Sequence, residues 1–229
     1  MSIAANLAQV TARIAEAAKA SGRKPEQVRL VAVSKTHGAD KVRQALKAGQ
    51  LLFGENYVQE SQAKIPEVGP GASWHFIGHL QSNKAKLAAG LFDVIQSVDR
   101  AKLARALDRH AGEQGRRLGV LLQVNVGGEA QKSGCAPDQA APLAQEVAGL
   151  ANLELMGLMT MPPFFNDPEA ARPCFARLRE LAAKLAPNLP PTAMAHLSMG
   201  MSGDFEAAIA EGATLVRVGT AIFGERDYS

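Results

Sequence analysis

Cysteine is scarce in this chain. Only Cys135 and Cys174 occur, and neither a CxxC nor any zinc-type spacing can be built from them. Two distant cysteines point to reduced thiols and a cytoplasmic setting. Long apolar runs are missing as well, with nothing approaching the roughly 20 residues of a membrane span. The N-terminus breaks its alanines with Arg13, Glu16 and Lys19 instead of placing a basic start before an apolar core, so no secretory signal is expected. Charge of one sign is also in short supply. Lys and Arg number 25 against 22 Asp and Glu, a net charge of +3. No dense Lys/Arg tract with interleaved aromatics appears, which argues against a nucleic-acid partner and still tolerates a small anion.

What the chain does have is alternation. Its 229 residues are 47% hydrophobic, about right for one α/β barrel. Strand-length apolar runs fall at Arg29–Ser34, Leu51–Gly54, Trp74–Gly78, Val94–Val98, Val120–Val126, Leu155–Thr160, Ala193–Ser198 and Leu215–Gly219. Helical spacing covers Ile3–Ser21, Ala39–Ala48, Gln81–Ala89, Arg100–Glu113, Pro137–Leu150, Asp167–Leu185 and Gly203–Glu211, and a further helix is expected to start at Tyr57. Ser97 to Asp99 and Asn166 to Pro168 read as N-terminal caps, and Gly49, Gly90 and Gly212 as C-terminal stops. The strands are continuously apolar, as in a parallel sheet covered on both sides. The expectation is a single domain over residues 1–229, a (β/α)8 TIM-type barrel with an extra N-terminal helix.

Polar residues recur where strands should end: Lys35, Glu55-Asn56, His79, Asn125, Thr160, Ser198 and Thr220. In a barrel these ends form one ring around one pocket, whereas an open sheet would split them across a crevice. Lys35 closes the run Leu30 to Ser34. Partial desolvation there lowers an amine's pKa and lets it attack an aldehyde as a Schiff-base nucleophile. The segment Leu197 to Asp204 is rich in Gly and Ser and opens a helix, and Arg217-Val218-Gly219-Thr220 ends the eighth strand. Loops after strands seven and eight are the usual phosphate site of such barrels. A lysine across the pocket from a phosphate cradle points to a phosphorylated aldehyde.

Several long motifs are similar to those of the pyridoxal phosphate homeostasis proteins. They are Val33 to Thr36, Phe53 to Glu60, Trp74 to Lys84, Gly157 to Met161, Leu197 to Ser202 and Arg217 to Gly224, in matching order over nearly the full length. The family has the barrel of alanine racemase and the fold-type III decarboxylases. The resemblance implies that Lys35 carries pyridoxal 5'-phosphate as a Schiff base and that Asn56 and His75 line the cofactor. It further implies that Ser198, Gly200, Gly219 and Thr220 hold the phosphate and that Arg217 faces the pyridine nitrogen. Asn125, Lys132 and Gly134 also resemble the family, with Lys132 read as a loop charge.

A permanently charged, donor-only arginine at the ring nitrogen keeps that nitrogen unprotonated and weakens the electron sink that catalysis needs. Racemase relatives add a second domain that supplies a tyrosine base. This chain is expected to lack that domain, and its two tyrosines, Tyr57 and Tyr228, are poor candidates for the role. The leading expectation is a non-catalytic, monomeric carrier that passes the cofactor to dependent enzymes by transient contact, with neither nucleic acid nor membrane as partner. The alternatives are a small amino-acid racemase or transaminase and, on the residues alone, a cofactor-free Schiff-base lyase acting on a sugar phosphate. His75 and His79 lack a carboxylate at ligand spacing, so no metal is expected. His37, His110 and His196 read as structural or solvated, and the Met199/Met201 and Met156/Met159/Met161 groups as core.

Overall fold

Two periodicities alternate along the chain, and each folds as its spacing demands. In α1, Ile3–Ala20, the residues Leu7, Val10, Ile14 and Ala18 recur at three- and four-residue steps and are all buried, which is what one apolar helix stripe requires. Ser2 caps it, its Oγ accepting the Ala5 N–H. The computed structural model describes residues 2–128, 133–163 and 165–225. Then follow β1 Arg29–Val33, α2 Ala39–Lys47, β2 Leu52–Glu55, α3 Val58–Val68, β3 Ser73–Phe76, α4 Ala85–Leu91, β4 Val94–Val98 and α5 Ala101–Glu113. The second half runs β5 Leu118–Gln123, α6 Ala140–Ala148, β6 Leu153–Met159, α7 Arg172–Leu185, β7 His196–Ser198, α8 Phe205–Ala210, β8 Leu215–Val218 and α9 Thr220–Phe223. The strands pair in sequence order, all parallel, and β8 returns to β1 to close the barrel.

Successive strand residues point to opposite faces, and here the two faces differ. Outward residues such as Phe53, Trp74 and Phe76 pack under the helices, with ring pairs Phe53–Trp74 at 5.4 Å and Phe76–Phe92 at 5.1 Å. Inside the cylinder Val31, Leu52, Val94, Leu121, Met159 and Leu215 form a separate small cluster. Two residues further along five of those strands stand Val33, Gly54, Gln96, Gln123 and Arg217. The lower interior is therefore apolar and the upper interior largely polar, which puts the chemistry at the C-terminal rim.

Closure is reinforced from outside. The β7–β8 ladder shares one register pair, Ser198↔Leu215, while β8–β1 shares four. Across this region lies α1, packed on α8 and α9. Asn6 Nδ2 donates to the Ile222 carbonyl at 2.9 Å, and Arg23 Nη1 donates to the carbonyls of Ile209 and Ala213 at 3.0 and 2.8 Å.

Local expectations fail at a few points. Gly90 lies inside α4 and does not stop it. Asp99 does not cap α5: Arg100 occupies that position, and the Asp99 carboxylate pairs with its guanidinium at 2.5 Å. Strand β7 starts at His196 and not at Ala193, because the chain from Pro190 is still turning, with Ala193 N bonded to Pro190 O. Asp167 does cap its 3₁₀ turn, accepting from the Glu169 N–H. Among the described residues no helix is long and apolar enough to cross a membrane.

Candidate functional site

The strand ends open into a cavity of about 370 Å³. Strand β1 supplies Val33 and, two residues on, a half-buried Lys35; the chain after β2 supplies Asn56, and that after β3 supplies Ile77. The loop after β7 contributes Met201, Ser202, Gly203 and Asp204, and β8 with its following turn contributes Arg217, Gly219 and Thr220. Met161, Pro163 and Phe165 form an apolar wall after β6. Five of the eight expected residues thus meet here: Lys35, Asn56, Arg217, Gly219 and Thr220. Because β8 pairs with β1, Lys35 and the Gly219-Thr220 turn stand side by side and not across the pocket.

His75, Ser198 and Gly200 do not line the cavity. His75 and Ser198 belong to a buried row of hydrogen bonds that also holds Arg217. Arg217 Nη1 donates to Ser198 Oγ at 2.6 Å, and its Nη2 donates to the Thr160 carbonyl at 2.8 Å. Ser198 Oγ donates in turn to Gln96 Oε1 at 2.6 Å, and Gln96 Nε2 stands 2.7 Å from His75 Nδ1. A guanidinium can only donate, so the arginine dictates the direction of the whole row. The serine hydroxyl must pass its proton to the amide oxygen, and the amide must offer N–H to the histidine. His75 Nδ1 is therefore an acceptor, with its ring proton on Nε2. Burial and nearby Arg29 support this by pushing the His75 pKa down to about 3. Burial likewise lowers Arg217 to about 10, partly offset by Asp204. Gln96 is the residue that sequence reading missed, and its polar side chain in the otherwise apolar middle of β4 was the available signal.

Gly200 shapes the loop from behind. Its φ of +93° lies in the left-handed region, and a Cβ there would sit 2.6 Å from Ala208 Cβ and 2.9 Å from Phe205 Cα. Only glycine lets the segment fold back on α8 and present Met201 to Asp204 to the cavity. Asn56 is pinned in the same manner, since a Cβ on Gly78 would lie 2.2 Å from the Asn56 carbonyl oxygen. Asn56 Oδ1 is buried with no hydrogen-bond partner, an arrangement that costs free energy unless a ligand donor meets it. Asp204 accepts the Met201 N–H at 2.6 Å, and burial raises its pKa.

The backbone beside Lys35 is held in an uncommon conformation. Thr36, a β-branched residue, has φ +65°, which costs on the order of 1 kcal/mol or more. Its N–H donates to Glu60 Oε1 at 2.8 Å. Lys64, 5% exposed, donates to the Ser34 carbonyl at 2.8 Å, to Glu55 Oε1 at 2.8 Å and to Glu60 Oε1 at 2.5 Å. Ser34 Oγ also donates to Glu55 Oε1, at 2.7 Å. Glu55 thus faces away from the cavity, toward α3.

Other candidates resolve as follows. His37, expected to be structural, is buried, stacks on Phe223 at 5.4 Å and lines the cavity. Met161 and Met201 also line it, whereas Met159 and Met199 are core. His79 is exposed and lies 3.3 Å from Ser133 Oγ, away from the cavity. Tyr57 is 55% exposed at the start of α3. Lys132 and Tyr228 fall outside the described residues. Among the described residues no group of His, Cys, Asp and Glu could hold a metal ion.

Comparison with known proteins places this geometry in a lineage. The family model described as alanine racemase, N-terminal domain, matches residues 5–227. The pyridoxal phosphate homeostasis protein of Pseudomonas aeruginosa is 52% identical over 99% of this chain and 96% of its own length, and that of Escherichia coli K12 is 46% identical over 99% and 98%. The solved structure of PipY from Synechococcus elongatus, with PLP bound, superposes with a TM-score of 0.85 at 41% identity, covering 97% of this chain and 100% of that one. The chain belongs to the alanine racemase N-terminal domain family and, within it, to the pyridoxal phosphate homeostasis proteins.

Proposed function

We propose that this chain holds pyridoxal 5'-phosphate covalently on Lys35, shields it from free amines and yields it to dependent enzymes without catalytic turnover of its own. The observation that carries this reading is the meeting of Lys35, the Gly219-Thr220 turn and Arg217 in one cavity. The unpartnered Asn56 Oδ1 fits a cavity built to receive a polar ligand. When bound, the cofactor supplies a reactive aldehyde carbon and an electron-withdrawing ring. Lys35 Nζ binds the aldehyde carbon. Ser202, Gly203, Gly219 and Thr220 surround the ester oxygens with small residues and hydroxyl donors, and Ser198 and Gly200 serve them indirectly by holding the strand end and the loop. His75 likewise acts through Gln96 and Ser198. Arg217 keeps a permanent donor toward the ring nitrogen, which favours holding over turnover. Among the described lining residues there is no tyrosine to act as a second base, and Asp204 is the one carboxylate.

The relatives' names and the PLP bound in PipY support this reading. Its test is borohydride reduction of the protein after incubation with pyridoxal 5'-phosphate, followed by peptide mass spectrometry. The adduct is expected on Lys35 and absent from Lys35→Ala; an adduct on another side chain overturns the assignment. Incubation with L-alanine in deuterated water should leave the α-hydrogen in place, and its exchange would favour a racemase or transaminase. We further propose a cytoplasmic monomer. The large exposed apolar side chains among the described residues, Leu51, Tyr57, Leu87 and Met161, are few, and light scattering across a concentration series should return the single-chain mass.

A further inference from the structure

Lys35 lies between two backbone groups that one ionic cluster grips. On its N-terminal side the Ser34 carbonyl accepts from Lys64 Nζ at 2.8 Å. On its C-terminal side the Thr36 N–H donates to Glu60 Oε1 at 2.8 Å. Lys64 joins the two halves, bonding Glu60 Oε1 at 2.5 Å and Glu55 Oε1 at 2.8 Å. Glu60 and Lys64 stand one helical turn apart on α3, so their spacing is set by a rigid element. Glu55 is fully buried at the end of β2, and its anchor is the barrel itself. None of the three side chains lines the cavity.

We propose that Glu60, Lys64 and Glu55 are positioning residues for Lys35. They hold Ser34 and Thr36 in the conformation that turns the intervening side chain into the cavity, and so set its rate of reaction with an aldehyde. The cluster explains how Thr36 keeps its positive φ without a glycine: two charged groups on a neighbouring helix over-determine the backbone there. Buried charges retained at this density serve geometry more readily than they serve stability.

The inference rests on the proposed role of Lys35, and its test separates the two. Glu60 is the variant of choice because its side chain is 27% exposed and its loss leaves the Glu55–Lys64 pair intact. Glu60→Ala removes the acceptor for the Thr36 N–H, whereas Glu60→Gln retains an oxygen there. The apoprotein is mixed with pyridoxal 5'-phosphate, quenched with borohydride at intervals, and the Lys35 adduct is counted by mass spectrometry. In parallel, Lys35 is modified with formaldehyde and borohydride with no cofactor present. Glu60→Ala is expected to slow both reactions about tenfold, as misplacing a reacting group does, while thermal unfolding shows it folded at the assay temperature. Glu60→Gln is expected to recover most of the rate. Equal rates in Glu60→Ala and the unaltered protein, or a Glu60→Gln variant as slow as Glu60→Ala, would overturn the proposal. If pyridoxal 5'-phosphate leaves no adduct on Lys35 but formaldehyde modification still slows in Glu60→Ala, the cofactor reading fails and the positioning role stands.

Discussion

Arg217 is the residue on which the interior is organised. It is 3% exposed, and its bonded partners, Ser198 and the Thr160 carbonyl, are neutral. A buried cation without a hydrogen-bonded carboxylate is costly, so its presence marks a position kept for a ligand and not for stability. Arg217→Gln is therefore expected to leave the unfolding midpoint nearly unchanged or raise it, while weakening cofactor retention about tenfold or more, as read by equilibrium dialysis. Its neighbour His75 makes a different forecast. The folded chain holds that imidazole neutral down to about pH 3, against an ordinary value of 6.5. Between those limits the unfolded chain binds a proton that the folded chain refuses, so the unfolded state gains as pH falls. Stability should be complete above about pH 6.5 and drain away on acidification toward about pH 3. His196, lowered by its own burial, acts in the same direction. Urea unfolding at pH 7 and pH 5 should show a smaller acid loss in His75→Gln than in the unaltered chain.

At the scale of elements, the barrel was legible because parallel strands covered on both sides must be apolar and must alternate with helices. Strand order and closure follow from that alternation, since successive βα units pack as neighbours with one handedness. The ends of elements were less legible. Gly90 reads as a stop, yet the helix continues through it, because a glycine inside a short helix is tolerated when its neighbours are buried. At the site, Lys35, Asn56 and the Gly219-Thr220 turn were legible because their side chains or turns stand at strand ends. The roles of His75 and Ser198 were not, because what they touch depends on which side of the strand faces the axis, and that phase is set by barrel register. Gln96 had a visible signal, a lone amide in an apolar strand, but no sequence spacing links it to a serine on β7. Gly200 carries a prediction at this level. Gly200→Ala forces a Cβ against α8 at a left-handed φ and should cost about 1–3 kcal/mol in unfolding free energy, together with much of the cofactor affinity, as measured by denaturation and dialysis.

At the scale of the whole molecule, the first helix secures the last ones. Arg23 Nη1 satisfies two carbonyls at the end of α8 and the start of the approach to β8. Arg23→Ala should lower stability by about 1–3 kcal/mol and raise amide hydrogen exchange across residues 205–223, which an unchanged exchange pattern would contradict. The directed row from Arg217 to His75 has a consequence for the barrel as a conductor. At one end stands a donor that gives up no proton near neutrality, and at the other an imidazole that takes none above about pH 3. The axis of the cylinder is thus an insulator to proton traffic, and whatever exchanges protons at the cavity must do so through its mouth.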